Sequence, residues 1–171
     1  YHATPRKPAY RDYGDFDGSG QQRLIEAEYE GNTLFPIRGK SCSTRAMPHL
    51  AGKFDSYHEF ALADLADIYT PRCLDDAHRF AATTLQSGML INDGAAHFSF
   101  EPLPRVVQIS PAFGAALTEI DGDGAADLYL VHNFFSPQLE TGRMDGGLSQ
   151  ALLGKGDGRF TPAPPNRSGL V

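Results

Sequence analysis

Short apolar or alternating runs, bounded by Gly, Pro or Asp, dominate the pattern of hydrophobic and polar positions along the chain. Such runs occur at residues 24–29, 106–109 and 128–132. Runs of this length with turn residues at both ends are typical of β-strands. The pattern therefore predicts a mainly β fold with strands at these three positions.

One segment departs from the strand pattern. Residues 54–69 carry apolar side chains at helical spacing. Ser56 and Glu59 are placed as a capping box, in which a hydroxyl and a carboxylate satisfy the first free amides of a helix. Pro71 follows as a stop signal. We therefore expect one amphipathic helix over about 56–69.

Two motifs recur along the chain. The acidic loop DFDGSGQQRL at 15–24 aligns with EIDGDGAADL at 119–128, and LINDGAAHFS at 90–99 aligns with LLGKGDGRFT at 152–161. The second motif has the strand, Gly-rich turn and strand of a β-hairpin. Because the order is loop, hairpin, loop, hairpin, we expect two repeat units, at about 10–104 and 105–171. The first unit is longer, which indicates a helical insertion at about 38–75.

The second acidic loop has the spacing of a calcium site. Glu119, Asp121, Asp123 and Asp127 fall at relative positions 1, 3, 5 and 9, and the backbone carbonyl of Ala125 falls at position 7. Calcium takes six to eight oxygen ligands, and closely spaced carboxylates supply most of them. An acidic turn without metal is the alternative, since Asp and Gly are also ordinary turn residues. The alternating spacing favours metal.

The first acidic loop is a weaker candidate. Asp15 and Asp17 are present, with Ser19 and Gln21 at the next two ligand positions. Arg23 stands where the last carboxylate should be, and a cation there would oppose calcium unless it points away. Metal binding by this loop therefore stays open.

An EF-hand is the competing interpretation of the first loop. Counted from Asp15, Gly20 is at position 6 and Glu26 at position 12, as an EF-hand requires. An EF-hand also needs a helix directly upstream, and Pro8 and Gly14 disfavour one there. In the second loop position 12 is a leucine, which excludes this motif.

Composition and charge limit the classes of partner. The chain has 171 residues, 41% of them hydrophobic, with a net charge of −6. This is enough apolar sequence for a folded core. No basic stripe is present, so we expect no nucleic-acid partner. No apolar run approaches the ~20 residues that span a bilayer, so we expect no membrane span.

Catalytic and redox motifs are absent from the sequence. Cys42 and Cys73 form no CxxC pair, and a single disulfide or two free thiols both remain open. No Ser, Cys or Lys nucleophile stands in a known catalytic motif with its base. We therefore expect a non-catalytic protein.

The two acidic loops and the two hairpins resemble the FG-GAP or VCBS repeat family, whose motif is D-x-D-G-D-G-x-x-D-L followed by L-x-N-x-G-x-G-x-F. Residues 119–128 depart from it only by Glu119, and residues 38–42, 53–69, 133–137 and 143–147 are also similar to bacterial members. The resemblance implies a β-propeller with calcium loops between strands, of which this chain would supply about two to three blades.

The resemblance also implies a role. It favours a calcium-binding structural, adhesion or ligand-recognition module outside the cell (extracellular, periplasmic or cell-surface), with a protein or glycan ligand and further blades of a longer chain as partners. An accessory or catalytic propeller domain of a secreted enzyme is the alternative, since fold alone does not decide function. Phe134 and Phe135, directly after a strand, are expected to be buried between blades rather than exposed for recognition.

Overall fold

Strands outweigh helices in this protein. The computed structural model describes residues 2–137, 142–164 and 166, so the end of the second predicted repeat unit lies outside the described residues. Strands make up 35% and helices 21%, and the sheets are antiparallel and open, which confirms the mainly β prediction. The chain divides into two compact units, Tyr1–Leu85 and Gln86–Val171.

The first unit contains a four-stranded antiparallel sheet. Its strands are β1 (Ala9–Gly14), β2 (Arg23–Glu30), β3 (Thr33–Pro36) and β4 (His78–Ala82), in the order β3-β2-β1-β4. The predicted strand at 24–29 is confirmed, because it forms most of β2. Ile25 and Ala27 alternate with more exposed neighbours along this strand and are buried. That alternation is the period of two that places one face of a sheet against a core.

Short helices lie between β3 and β4, in the stretch where the sequence predicts an insertion. They are α1 (Lys40–Ala46), a 3-10 helix (Pro48–Gly52), α2 (Tyr57–Leu62), α3 (Leu65–Tyr69) and α4 (Pro71–Asp75). Each is too short to be stable alone in water, so packing must hold it. No helix in the described part of the chain is long and apolar enough to cross a membrane.

The prediction of one helix over 56–69 is wrong, although its start is correct. The capping box of Ser56 and Glu59 is present and begins α2. Asp64 then forms a second capping box with Asp67, whose backbone amide donates to the Asp64 carboxylate at 2.7 Å. Asp64 is extended and starts a new helix, which explains the break. The predicted end at residue 69 is also correct, because α3 ends at Tyr69. Pro71 then begins α4, since its fixed φ suits a first helical position.

The helices and the sheet of the first unit share one core. Leu50 and Ile68 from the helical segment are almost fully buried together with Ile25 and Ala27 of β2. Full burial of one such aliphatic side chain stabilises a fold by about 1.5–3 kcal/mol. The insertion is therefore part of this unit's core. On α1 and α4, Cys42 and Cys73 are half-buried free thiols.

The second unit contains a four-stranded sheet and a separate hairpin. Its strands are β5 (Gly88–Asn92), β6 (Phe98–Pro102), β7 (Ala112–Thr118), β8 (Asp127–His132), β9 (Gln150–Gly154) and β10 (Phe160–Pro162). The sheet order is β10-β9-β8-β7, and β5 pairs only with β6. The predicted strand at 128–132 is confirmed as part of β8. Leu128, Leu130 and Leu152 are buried at the centre of this unit's core.

Both predicted hairpins are present. In the first, Asn92 pairs with Phe98, and in the second Gly154 pairs with Phe160. The connecting turns are therefore residues 93–97 and 155–159, and the pairing falls at the aligned positions of the two motifs. The two hairpins differ in their neighbours, because β9 also pairs with β8 whereas β5 and β6 form a sheet of their own.

The prediction of a strand at 106–109 is wrong. Residues Arg105–Ile109 form a 3-10 helix in which the Val107 amide donates to the Pro104 carbonyl at 2.9 Å. Val107 is the one residue of this helix that is fully buried. The side-chain amide of Gln108 accepts a hydrogen bond from the Ser87 amide and donates one to the Ser87 carbonyl. Val106 and Ile109 remain exposed, so a run of apolar residues here does not mark a buried strand.

Candidate metal centre

The second acidic loop connects β7 to β8. Gly122 and Gly124 within it have φ angles of +85° and +84°. Residues with a Cβ avoid this left-handed region, whereas glycine enters it freely. Nothing lies close to either glycine where a Cβ would stand, so their conformational freedom, rather than space, explains why glycine is present. These two positions let the chain curl tightly within the loop.

Three predicted ligands converge in this loop. Carboxylate oxygens of Glu119, Asp121 and Asp127 all lie within 4.8 Å of one another, and this group can hold a metal ion. Glu119 and Asp121 are exposed, whereas Asp127 is fully buried. The centre is therefore open to solvent on one side and anchored in the fold on the other.

Asp127 is held by two backbone amides from different parts of the unit. The Gly154 amide of β9 donates to its Oδ1 at 2.8 Å, and the Ile120 amide donates to its Oδ2 at 2.7 Å. These bonds lower the pKa of Asp127 below its ordinary value, and the bond from Gly154 has the largest effect. The ionised form is favoured by folding, so this contribution to stability is present at neutral pH and is lost as the pH falls through the lowered pKa.

The two exposed acids are positioned within the loop itself. The Gly122 amide donates to Glu119 Oε1 at 2.7 Å, and the Gly124 amide donates to Glu119 Oε2. The Asp123 amide donates to Asp121 Oδ1 at 3.2 Å. A carboxylate oxygen has a second lone pair, so an oxygen that accepts an amide proton can still bind a cation.

The other two predicted ligands belong to the same loop but play a different part in the structure. Asp123 does not join the group of converging carboxylates found among the described residues. Its Oδ1 accepts a hydrogen bond from the Ala125 amide at 2.7 Å, as Asp side chains do in turns. This bond fixes Ala125, whose carbonyl the sequence nominates as a ligand.

The first acidic loop, between β1 and β2, repeats the same hydrogen-bond scheme. Asp15 accepts from the amides of Gly18 at 2.9 Å and Gly20 at 2.8 Å, as Glu119 does in the second loop. Asp17 accepts from the Ser19 amide at 3.0 Å. Gly18 and Gly20 also have positive φ, at +72° and +79°. The alignment of the two loops thus corresponds to one shared backbone form.

The EF-hand interpretation of the first loop is wrong. Strands β1 and β2 flank this loop, so the two helices of an EF-hand are missing at these positions. Glu26, the candidate twelfth ligand, lies within β2 and pairs with Arg11 at 2.7 Å. It is therefore committed to the sheet.

The sequence did not identify Gly154 as part of the centre. Gly154 ends β9 and carries the amide that bonds Asp127. A Cβ on Gly154 would stand 2.1 Å from the Ala126 carbonyl oxygen, so only glycine permits this approach. In the aligned hairpin motif Asn92 stands at the position of Gly154. That difference between the two motifs was the sequence signal that could have pointed to a special role for Gly154.

Gly154→Ala is expected to weaken the centre without touching a ligand. The added methyl group forces β9 away from Ala126 and lengthens the bond to Asp127, so we expect metal affinity to fall about tenfold or more. Calorimetric titration with calcium measures this. Gly156→Ala is the matched control, because a Cβ there meets open space, although its positive φ adds local strain. Equal affinity in the two variants would contradict the role given to Gly154.

A cleft of about 370 Å³ in the first unit is a weaker candidate site. Arg38, Lys40 and Tyr57 line it together with apolar residues. Both cations are already engaged, since Arg38 pairs with Glu26 at 3.6 Å and the Lys40 ammonium donates to the Phe54 carbonyl. The acidic loop of the second unit remains the best-formed site.

Comparison with known protein families, with curated proteins and with solved structures finds no match for this chain.

Proposed function

We propose that this protein is a calcium-binding, non-catalytic recognition module of the FG-GAP type. The observation that carries the proposal is the convergence of Glu119, Asp121 and Asp127 in a loop of calcium-ligand spacing. Three carboxylates this close repel one another without a cation. A bound calcium ion attracts all three and thereby offsets the repulsion.

Calcium fits this loop better than magnesium or zinc. All of the donor atoms are oxygens, whereas zinc prefers nitrogen and sulfur donors. Magnesium demands a near-ideal octahedron, whereas calcium accepts irregular sets of six to eight oxygens. The Ala125 carbonyl, the Asp123 side chain and water would complete the set on the exposed side.

The exposure of two ligands supports a site of low calcium affinity. Glu119 and Asp121 are solvated in the free protein, so binding calcium must displace water from both. Extracellular calcium modules have dissociation constants of about 10⁻⁴–10⁻³ M. We place this site in that range, which suits the millimolar calcium found outside cells.

A cluster of exposed aromatic side chains supports the recognition role. Phe113 and Phe134 stack with ring centroids 5.6 Å apart, and Phe135, the next residue in the sequence, is 76% exposed. The expectation that Phe134 and Phe135 are buried is therefore wrong for the described structure. Adjacent exposed aromatic rings are typical of surfaces that contact a protein, a glycan or a neighbouring domain. Further blades of a longer propeller are the other partner that we propose.

Calcium is expected to raise the melting temperature by about 5–10 °C relative to chelator. A ligand present at a hundred times its dissociation constant stabilises the native state by about 2.7 kcal/mol, and each kcal/mol moves the transition by a few degrees. Thermal unfolding followed by circular dichroism, with calcium or with chelator, measures the difference.

Two controls define the result. Magnesium at the same concentration should give a much smaller shift, and Glu101→Gln, which removes an exposed acid from β6, should leave the calcium shift unchanged. Identical melting temperatures with calcium and with chelator would refute the proposal.

A further inference from the structure

The two acidic loops share a scaffold but differ at their last position. In both loops the first acid accepts amides three and five residues ahead, and the second acid accepts the amide two residues ahead. The last position is the first residue of the following strand. It is Asp127 at the start of β8 and Arg23 at the start of β2.

Arg23 faces one carboxylate of its own loop, that of Asp17. One terminal nitrogen of its guanidinium lies 3.7 Å from Asp17 Oδ2, and the two side chains are only 28% and 11% exposed. The Arg23 Nε atom is buried and has no hydrogen-bond partner among the described residues. The guanidinium is therefore drawn into the loop by charge rather than by a full set of hydrogen bonds.

We propose that the Arg23 guanidinium takes, in the first loop, the place that a metal ion takes in the second, so that the residue at the loop's last position decides which loop binds metal. This inference rests on the proposed function, because the second loop is its reference. It assigns the first loop a permanent internal cation and a metal-independent structure.

Charge balance gives the physical reason. Asp15 and Asp17 place two negative charges in one short loop, and Arg23 supplies beside Asp17 a positive charge that cannot dissociate or lose its proton at any ordinary pH. A divalent ion entering the loop would meet that fixed positive charge and would find two carboxylates fewer than in the second loop, because Ser19 and Arg23 stand where Asp123 and Asp127 do. Both effects disfavour metal.

Counting bound ions in five proteins tests the inference. Equilibrium dialysis with terbium(III), an oxygen-seeking ion that substitutes for calcium, gives the number of ions per folded chain. We expect one ion for the unmodified protein, two for Arg23→Asp, none for Asp127→Asn and one for the double variant. Arg23→Gln, which removes the cation without adding a ligand, should still bind one.

The outcomes separate this inference from the proposed function. If the unmodified chain binds none and Arg23→Asp binds one, the second loop is not a metal site but Arg23 still governs the first. Two ions on the unmodified chain, or no more ions on a folded Arg23→Asp chain than on the unmodified chain, would overturn the inference.

A second measurement applies even if Arg23→Asp does not fold. In chelator, Arg23→Gln and Asp17→Asn should each lower the melting temperature, and the double variant should lower it by less than the sum, because the two residues act on one another. Fully additive changes would show that Arg23 does not balance the charge of Asp17 and would also overturn the inference.

Discussion

Asp127→Ala is expected to abolish calcium binding and to lower the melting temperature by about 10 °C, even in chelator. Asp127 differs from the other ligands because it is fully buried and accepts hydrogen bonds from two backbone amides, those of Ile120 and Gly154. Alanine leaves the buried Gly154 amide without a partner, removes the partner of the part-buried Ile120 amide and empties the buried site of Asp127, and such losses destabilise a protein substantially. Calorimetric titration and thermal unfolding measure the two effects.

Exposed acids distinguish the metal effect from the structural effect. Asp121→Ala should remove most of the calcium-dependent stabilisation and leave the melting temperature in chelator nearly unchanged, because Asp121 is exposed. Asp17→Ala should affect calcium stabilisation less than Asp121→Ala does. Asp157→Asn is the matched control, since Asp157 also accepts one turn amide, that of Arg159 at 2.9 Å, but joins no acidic cluster among the described residues. A folded Asp127→Ala variant that keeps its calcium shift would disprove the role of Asp127.

Local features of this fold could be predicted from the sequence, because their causes lie within a few residues. The spacing of Glu119, Asp121 and Asp127 correctly predicted that their carboxylates converge. This was possible because two glycines at positive φ define the path of so short a loop. The hairpins at 90–99 and 152–161 and the capping box at Ser56 depend on equally local chemistry. Asp123 was also predicted as a ligand, but its carboxylate, which accepts the Ala125 amide, does not join the converging group among the described residues.

Features that depend on distant partners could not be predicted. The apolar run at 106–109 forms a 3-10 helix instead of a strand. Val107 is the buried side chain of this helix, and two hydrogen bonds join Gln108 to the backbone of Ser87. The helix over 56–69 breaks because Asp64 caps a second helix, an alternative that periodicity does not reveal. The resemblance to FG-GAP repeats predicts blades of about four strands. The order of strands within a sheet depends on which strand edges pair, and that pairing is decided by the whole unit rather than by a local motif.

The pair of Asp12 and Arg79 is the strongest example of a partnership that the sequence did not reveal. Asp12 lies on β1 and is fully buried. Arg79 on the neighbouring strand β4 donates to both of its carboxylate oxygens, at 2.7 and 2.9 Å, and its guanidinium lies 4.7 Å from the centre of the Tyr10 ring. A bidentate arginine fixes strand position as well as charge. The pair thereby joins β4, which follows the helical segment, to the rest of the sheet.

Arg79→Ala is expected to lower the free energy of unfolding by about 3 kcal/mol, because it leaves the Asp12 carboxylate buried without its cation. The lower end of the usual range applies, since Arg79 is 39% exposed and its removal admits water to Asp12. Urea unfolding in chelator measures the change. Arg11→Ala is the matched control on β1, because the Arg11 side chain is 57% exposed and its pair with Glu26 should be worth at most about 1 kcal/mol. Arg79→Ala combined with Asp12→Asn should recover part of the loss, since the buried charge is then gone. Equal destabilisation by Arg79→Ala and Arg11→Ala would show that burial of Asp12 does not make its pair with Arg79 special.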